Sequence, residues 1–125
     1  MTAAPLTPEG VGNLGIESLV GDGQAVLRLS GDLDMDSAEL FAEAARRVHA
    51  EGIPSLVLDL SALDFVDSSG LSQFVLALKR QREIGGEVVL QAPTSSVKRV
   101  LDIVGLSKML PIAGSTPGDD GPRNT

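Results

Sequence analysis

The chain contains no cysteine, no tryptophan and no tyrosine, and only one histidine and three phenylalanines. Without cysteine there is no disulfide framework and no thiolate to act as nucleophile or metal ligand, which is compatible with a reducing compartment. With His49 as the lone imidazole, a zinc site is short of ligands. No apolar run approaches the length needed to cross a bilayer, and Met1-Thr2-Ala3-Ala4-Pro5 has neither the basic start nor the apolar stretch of a signal peptide. The expected protein is soluble and cytoplasmic. Positive charge is also in deficit, with 10 basic against 17 acidic residues and a formal net charge of -7. Broad attraction to a polyanion is therefore disfavoured, and neither nucleic acid nor membrane insertion is expected. What remains is a chain of 125 residues, enough for one domain that buries roughly two thirds of its unfolded surface without a staple.

Residues 14–20 and 24–30 read as two strands joined by Gly21-Asp22-Gly23, residues suited to the positive backbone angles of a tight hairpin. After Gly31 the apolar period changes. Asp36 and Glu39 have capping-box spacing, and Phe41, Ala44, Ala45 and Val48 form a helical stripe that ends near Gly52-Ile53-Pro54. Leu56-Val57-Leu58-Asp59-Leu60, bounded by Pro54 and Ser61, reads as a buried strand. A second helix carries Leu71, Phe74, Val75 and Leu78 and ends at Gly85-Gly86. A strand over 87–91 follows, then a helix introduced by Pro93-Thr94 with Val97, Val100, Leu101 and Val104 on one face, and a short last strand expected to include Met109 to Ile112. Helices that link successive strands favour parallel pairing, so the expected class is α/β, a mixed sheet with an opening hairpin and helices packed against it. Residues 1–13 form an expected flexible leader, 14–112 the domain, and 113–125 a polar tail without apolar periodicity, expected to be disordered.

The most informative segment is Asp64-Phe65-Val66-Asp67-Ser68-Ser69-Gly70-Leu71, which sets two hydroxyls where a strand hands over to a helix. Either Asp67 or Ser68 can cap that helix. Capping alone explains the octapeptide in isolation. Three catalytic readings of the chain fail on context. Gly10-Val11-Gly12-Asn13-Leu14-Gly15 fits a dinucleotide fingerprint, but a strand follows where a helix is required. Asp34-Met35-Asp36-Ser37 resembles the aspartate pair of haloacid-dehalogenase-like phosphatases, yet the chain is too short for that scaffold and its other ligands. A serine triad would need His49 beside Ser68 or Ser69, and His49 falls at the far end of the first helix. The basic residues Lys79, Arg80, Arg82, Lys98 and Arg99 read as solvated helix faces. No catalytic residue, cofactor or metal is expected, and the chain reads as a binding module rather than an enzyme.

The wider chain resembles the STAS domains of bacterial anti-sigma factor antagonists. That family places Asp-Ser-Ser-Gly or Asp-Ser-Thr-Gly, then Leu, at this junction. Gly31-Asp32-Leu33-Asp34 with Ser37-Ala38 is similar to its Gly-Glu-Leu-Asp segment, Gly85-Gly86-Glu87-Val88-Val89-Leu90 to its Gly-Gly turn into a strand, and Val97-Lys98-Arg99-Val100-Leu101 through Gly105-Leu106 to its third helix. Asp32 stands where glutamate is more usual and Ser37 where threonine is. The resemblance implies a STAS-type sheet of opening hairpin followed by β-α-β-α-β-α over 14–112. It also implies phosphorylation of the second hydroxyl, Ser69, with Ser68 the competitor, by an anti-sigma factor that is also a serine kinase, and reversal by a PP2C-type phosphatase. Asp32, Asp34, Asp67, Ser68, Ser69 and Gly70 are the implied partner-binding residues, Gly70 by keeping the first helical turn open to close approach. A homodimer is possible in such a family. The alternative it leaves open is a structural subunit of a sensory or lipid-transport assembly with no phosphoswitch.

Overall fold

The structure, a computed structural model, describes residues 13–114. The expected leader and tail, and the start of the Gly10–Gly15 motif, fall mostly or wholly outside the described residues. Strand β1 (Leu14–Gly21) and strand β2 (Gln24–Leu33) pair antiparallel. Asp22 and Gly23 both take positive φ, 54° and 75°, the hand that matches the twist of a two-residue hairpin. Helix α1 (Ala38–Ala50), strand β3 (Ser55–Val66), helix α2 (Ser68–Glu83), strand β4 (Glu87–Gln91), helix α3 (Ser95–Ile103) and strand β5 (Ile112–Ala113) follow. The sheet order is β1-β2-β3-β4-β5, parallel from β2 onward.

Each crossover from β2 to β5 steps one strand in the same direction. Right-handed crossovers then place all three helices on one face of the sheet. Burial follows. Ala25, Leu27, Leu29, Leu56, Leu58, Val88 and Leu90 face the helices and are buried, and the rings of Phe41 on α1 and Phe74 on α2 meet edge to face with centroids 5.5 Å apart. The inner stripe of α1 is largely alanine (Ala38, Ala42, Ala44, Ala45), which lets that helix lie close to its neighbours. The other face of the sheet carries half-buried Val26, Val57 and Val89 in register, and beside them a row of ions. There Arg28 lies 3.6 Å from Glu17 and 3.2 Å from Asp59.

Four expectations change. Strand β3 does not stop at Ser61: the Ser61 N–H and hydroxyl both donate to Asp59 Oδ1, at 3.0 and 2.7 Å, and the register slips there and again before Phe65, so two bulges carry the strand on to Val66. Strand β2 likewise runs to Leu33, passing through Gly31 at φ 88°, where a Cβ would stand 1.8 Å from the Asn13 carbonyl oxygen. No capping box forms at α1, because the residue at the cap is Ser37 and its side chain turns back toward β2. The last strand is displaced to Ile112–Ala113 because Leu106–Lys108 closes into a 3-10 turn that buries Leu106 and Leu110.

Candidate functional site

The carboxyl ends of the parallel strands β2 and β3 lie side by side: Asp32 is the register partner of Phe65 and Leu33 of Val66. One hydrogen bond carries the pairing past the strand ends, from Asp67 N–H to the Leu33 carbonyl at 3.1 Å. The loops after the two strands are thereby fixed next to each other. Both loops lie at the carboxyl ends of the strands, the end at which open α/β sheets bind ligands, although with every crossover stepping the same way the sheet has no switch-point crevice.

In the loop after β2, the buried Ser37 hydroxyl donates to the Asp32 carbonyl at 2.9 Å and accepts from Asp34 N–H at 3.0 Å. Asp34 Oδ1 accepts from the N–H groups of Asp36 and Ser37, at 3.0 and 3.3 Å. A short polar loop is thus held as a rigid turn by two side chains. Sequence reading noted Ser37 only as a family hydroxyl; its reach back across five residues depends on a turn geometry that spacing does not reveal.

In the loop after β3, Asp67 rather than Ser68 caps α2, its Oδ1 accepting from Ser69 N–H at 2.9 Å and Gly70 N–H at 3.2 Å. Ser68 is exposed and Ser69 half-buried. No hydrogen bond to the Ser69 hydroxyl is found among the described residues. Gly70 requires a correction. It is buried, and a Cβ there would lie 2.6 Å from Leu33 Cγ and 2.8 Å from Val66 Cγ2. The missing side chain makes room for the sheet beneath the helix, not for a partner above it. The structure therefore gathers Asp32, Asp34, Asp67, Ser68 and Ser69 at one edge, with Gly70 seated under them.

His49 is not part of this edge. Its Nε2 lies 3.5 Å from Glu83 at the far end of α2. At about 1.5 Å per residue that is roughly 20 Å from Ser69 along the helix, so no serine–histidine pair can form. A second polar device at that far end was also missed in the sequence: buried Gln81 donates from Nε2 to the carbonyls of Ile53 and Pro54, at 2.7 and 3.0 Å, tying the end of α2 to the start of β3.

A family model for the STAS domain matches residues 16–117. The chain belongs to the STAS domain family. Among STAS relatives, the chain is 38% identical over 104 residues to an anti-sigma F factor antagonist of Paenibacillus polymyxa, covering 80% of this chain and 86% of that protein. An anti-sigma-B factor antagonist of Staphylococcus epidermidis is 25% identical over 104 residues, covering 83% and 96%. A crystal structure of an anti-sigma factor antagonist from Mycobacterium paratuberculosis superposes with a TM-score of 0.73 at 28% identity, covering 95% of this chain and 94% of that one. The mixed five-stranded sheet with three helices is thus the STAS fold.

Proposed function

We propose that this STAS protein is an anti-sigma factor antagonist that works by switching partners. Unphosphorylated, it binds an anti-sigma factor that is also a serine kinase, and so frees a sigma factor. The kinase transfers phosphate from ATP, with magnesium, to the Ser69 hydroxyl; the modified protein lets go, and a PP2C-type phosphatase restores it. The protein itself is a cytoplasmic binding partner and carries out no catalysis. Its family membership and the names of its relatives support the antagonist role.

The observation that carries the switch is the hydrogen bond from Ser69's own N–H to the Asp67 carboxylate. The Ser69 and Gly70 amides already have an anionic acceptor, so a phosphate on Ser69 would arrive beside a fixed carboxylate that already holds those two donors. It adds about 1.5 to 2 negative charges at neutral pH, on an edge that also presents Asp32 and Asp34. A docked partner would have to desolvate that charge. A cost of about 3 kcal/mol weakens binding about a hundredfold.

The test is capture from native lysate by the wild type, Ser69→Ala and Ser69→Asp, followed by ATP and mass spectrometry of residues 64–79. The expected result is a kinase-like anti-sigma factor retained by wild type and Ser69→Ala, lost by Ser69→Asp, with phosphate appearing on Ser69 of the wild type. Phosphate on Ser68 would move the switch by one residue. The same partner on all three proteins, with no phosphate, identifies a structural STAS subunit.

A further inference from the structure

We propose that Met35 and Phe65 are the apolar anchors of the docking surface around Ser69, and that they enter a partner pocket rimmed by lysine or arginine; this rests on the antagonist reading above. Met35, at 76% exposed, and Ile103, at 75%, are the two most exposed large apolar side chains among the described residues, and Phe65 is half exposed. An exposed methionine on a mobile loop would carry little meaning. Met35 instead sits in the turn that Ser37 and Asp34 hold by hydrogen bonds to Asp32 O, Asp34 N, Asp36 N and Ser37 N. Phe65 stands on β3 as the register partner of Asp32, three residues before Met35, so both side chains belong to the edge that carries Ser69. Such a rigid apolar projection loses little entropy when a partner covers it.

Charge decides what covers it. Residues 32–37 and 64–69 hold five carboxylates, Asp32, Asp34, Asp36, Asp64 and Asp67, and no lysine or arginine. None of the five is ion-paired among the described residues. A second copy presenting the same edge, or an anionic membrane, would be repelled. A protein surface with an apolar depression inside a cationic rim is complementary both to the anchors and to the carboxylates. Ile103, by contrast, follows Asp102, which is paired with Lys98 on its own helix.

The experiment is calorimetric titration of the purified anti-sigma factor that the wild type captures, against the full-length wild type, Met35→Gln, Phe65→Ser, Ile103→Ser, Asp36→Asn plus Asp64→Asn, and Ser69→Asp. Circular dichroism checks the fold of each. Met35→Gln and Phe65→Ser should each weaken binding at least tenfold with melting temperature unchanged, and Ile103→Ser should not weaken it. Wild-type affinity should fall as sodium chloride rises, less steeply for the double asparagine variant. Unchanged affinity in both anchor variants, an equal loss with Ile103→Ser, or binding indifferent to salt overturns the inference while Ser69→Asp still releases the partner. If no anti-sigma factor is captured, or Ser69→Asp binds like wild type, the antagonist reading fails and takes this inference with it.

Discussion

Replacing Gly70 with alanine adds one methyl group at the start of α2, and the structure says where it goes. The new Cβ would stand 2.6 and 2.9 Å from Leu33 Cγ and Cδ2 and 2.8 Å from Val66 Cγ2, all closer than carbon atoms approach one another. Leu33 and Val66 are buried and paired across β2 and β3, so neither can step aside without disturbing the sheet. Overpacking of this kind costs about 1–3 kcal/mol. Removing a glycine from a helix returns part of about 0.5–1 kcal/mol. The net expectation is a loss of about 1–2 kcal/mol, or a melting temperature lowered by about 4–16 °C in a domain of this size. With no tryptophan or tyrosine in the chain, urea unfolding is best followed by far-ultraviolet circular dichroism. The companion variant is Leu33→Ala, which alone should cost about 2–5 kcal/mol but vacates the volume the new methyl needs. In the double variant the two Leu33 contacts are gone and only the 2.8 Å approach to Val66 Cγ2 remains, so the penalty of Gly70→Ala should shrink, a coupling of about 1 kcal/mol. A Gly70→Ala protein as stable as wild type, or strict additivity with Leu33→Ala, would refute the packing role and return Gly70 to partner access.

Asp67→Ala removes the only acceptor described for the Ser69 and Gly70 amides and should lower stability by about 1 kcal/mol; an unshifted urea midpoint would refute the cap. Ser37→Ala strands a carbonyl and an N–H beside a buried position and should cost about 1–3 kcal/mol, with faster amide exchange over residues 32–37; protection equal to wild type there would show that the turn holds itself. At Asp59, burial raises the carboxyl pKa, but the Ser61 amide and hydroxyl and the Arg28 guanidinium outweigh it and hold the group below its ordinary 3.8. A folded pKa below the unfolded one means stabilisation fully present above about pH 4 and lost as pH falls through the lower folded value. Asp59→Asn should therefore be less stable than wild type at neutral pH, with the gap closing on acidification below pH 4; a gap independent of pH would refute the assignment.

Local signals in the sequence were read where local physics decides. The Gly-Asp-Gly hairpin, the strand at Glu87–Gln91 and the helix start after Pro93-Thr94 all rest on residues near one another in the chain. Where a distant residue decides, the reading failed. Ser61 looked like a strand end because a serine after an apolar run usually is one; that it forms a bulge depends on Asp59 facing Arg28 on the neighbouring strand. Gly70 looked like an opening for a partner because nothing in its own helix shows Leu33 beneath it. Asp36 and Glu39 had the spacing of a capping box, but Glu39 pairs instead with Arg46 along the helix, and the cap position fell to a serine engaged elsewhere. The grouping of Asp32, Asp34, Asp67 and the two serines was legible because it requires only that successive parallel strands be neighbours.

Leu33 explains how one phosphate could act here without refolding. Its carbonyl accepts from Asp67 N–H, its side chain fills the space under Gly70, and its neighbours Asp32 and Asp34 are bonded to Ser37. Both loops of the edge are thus fastened to the end of one strand, and the strand is buried between two others. A modification shifts a conformational equilibrium only by the difference in its interaction with the two states. With Leu33 holding both loops, displacing either would break packing worth several kcal/mol, more than the roughly 3 kcal/mol that a hundredfold loss of partner affinity requires. The cheaper response leaves the scaffold in place and changes the charge it presents. On the proposed switch, the tight underside of this edge and the carboxylates on top of it are then two parts of one device: rigidity below would make the partner, rather than the fold, bear the cost of a phosphate.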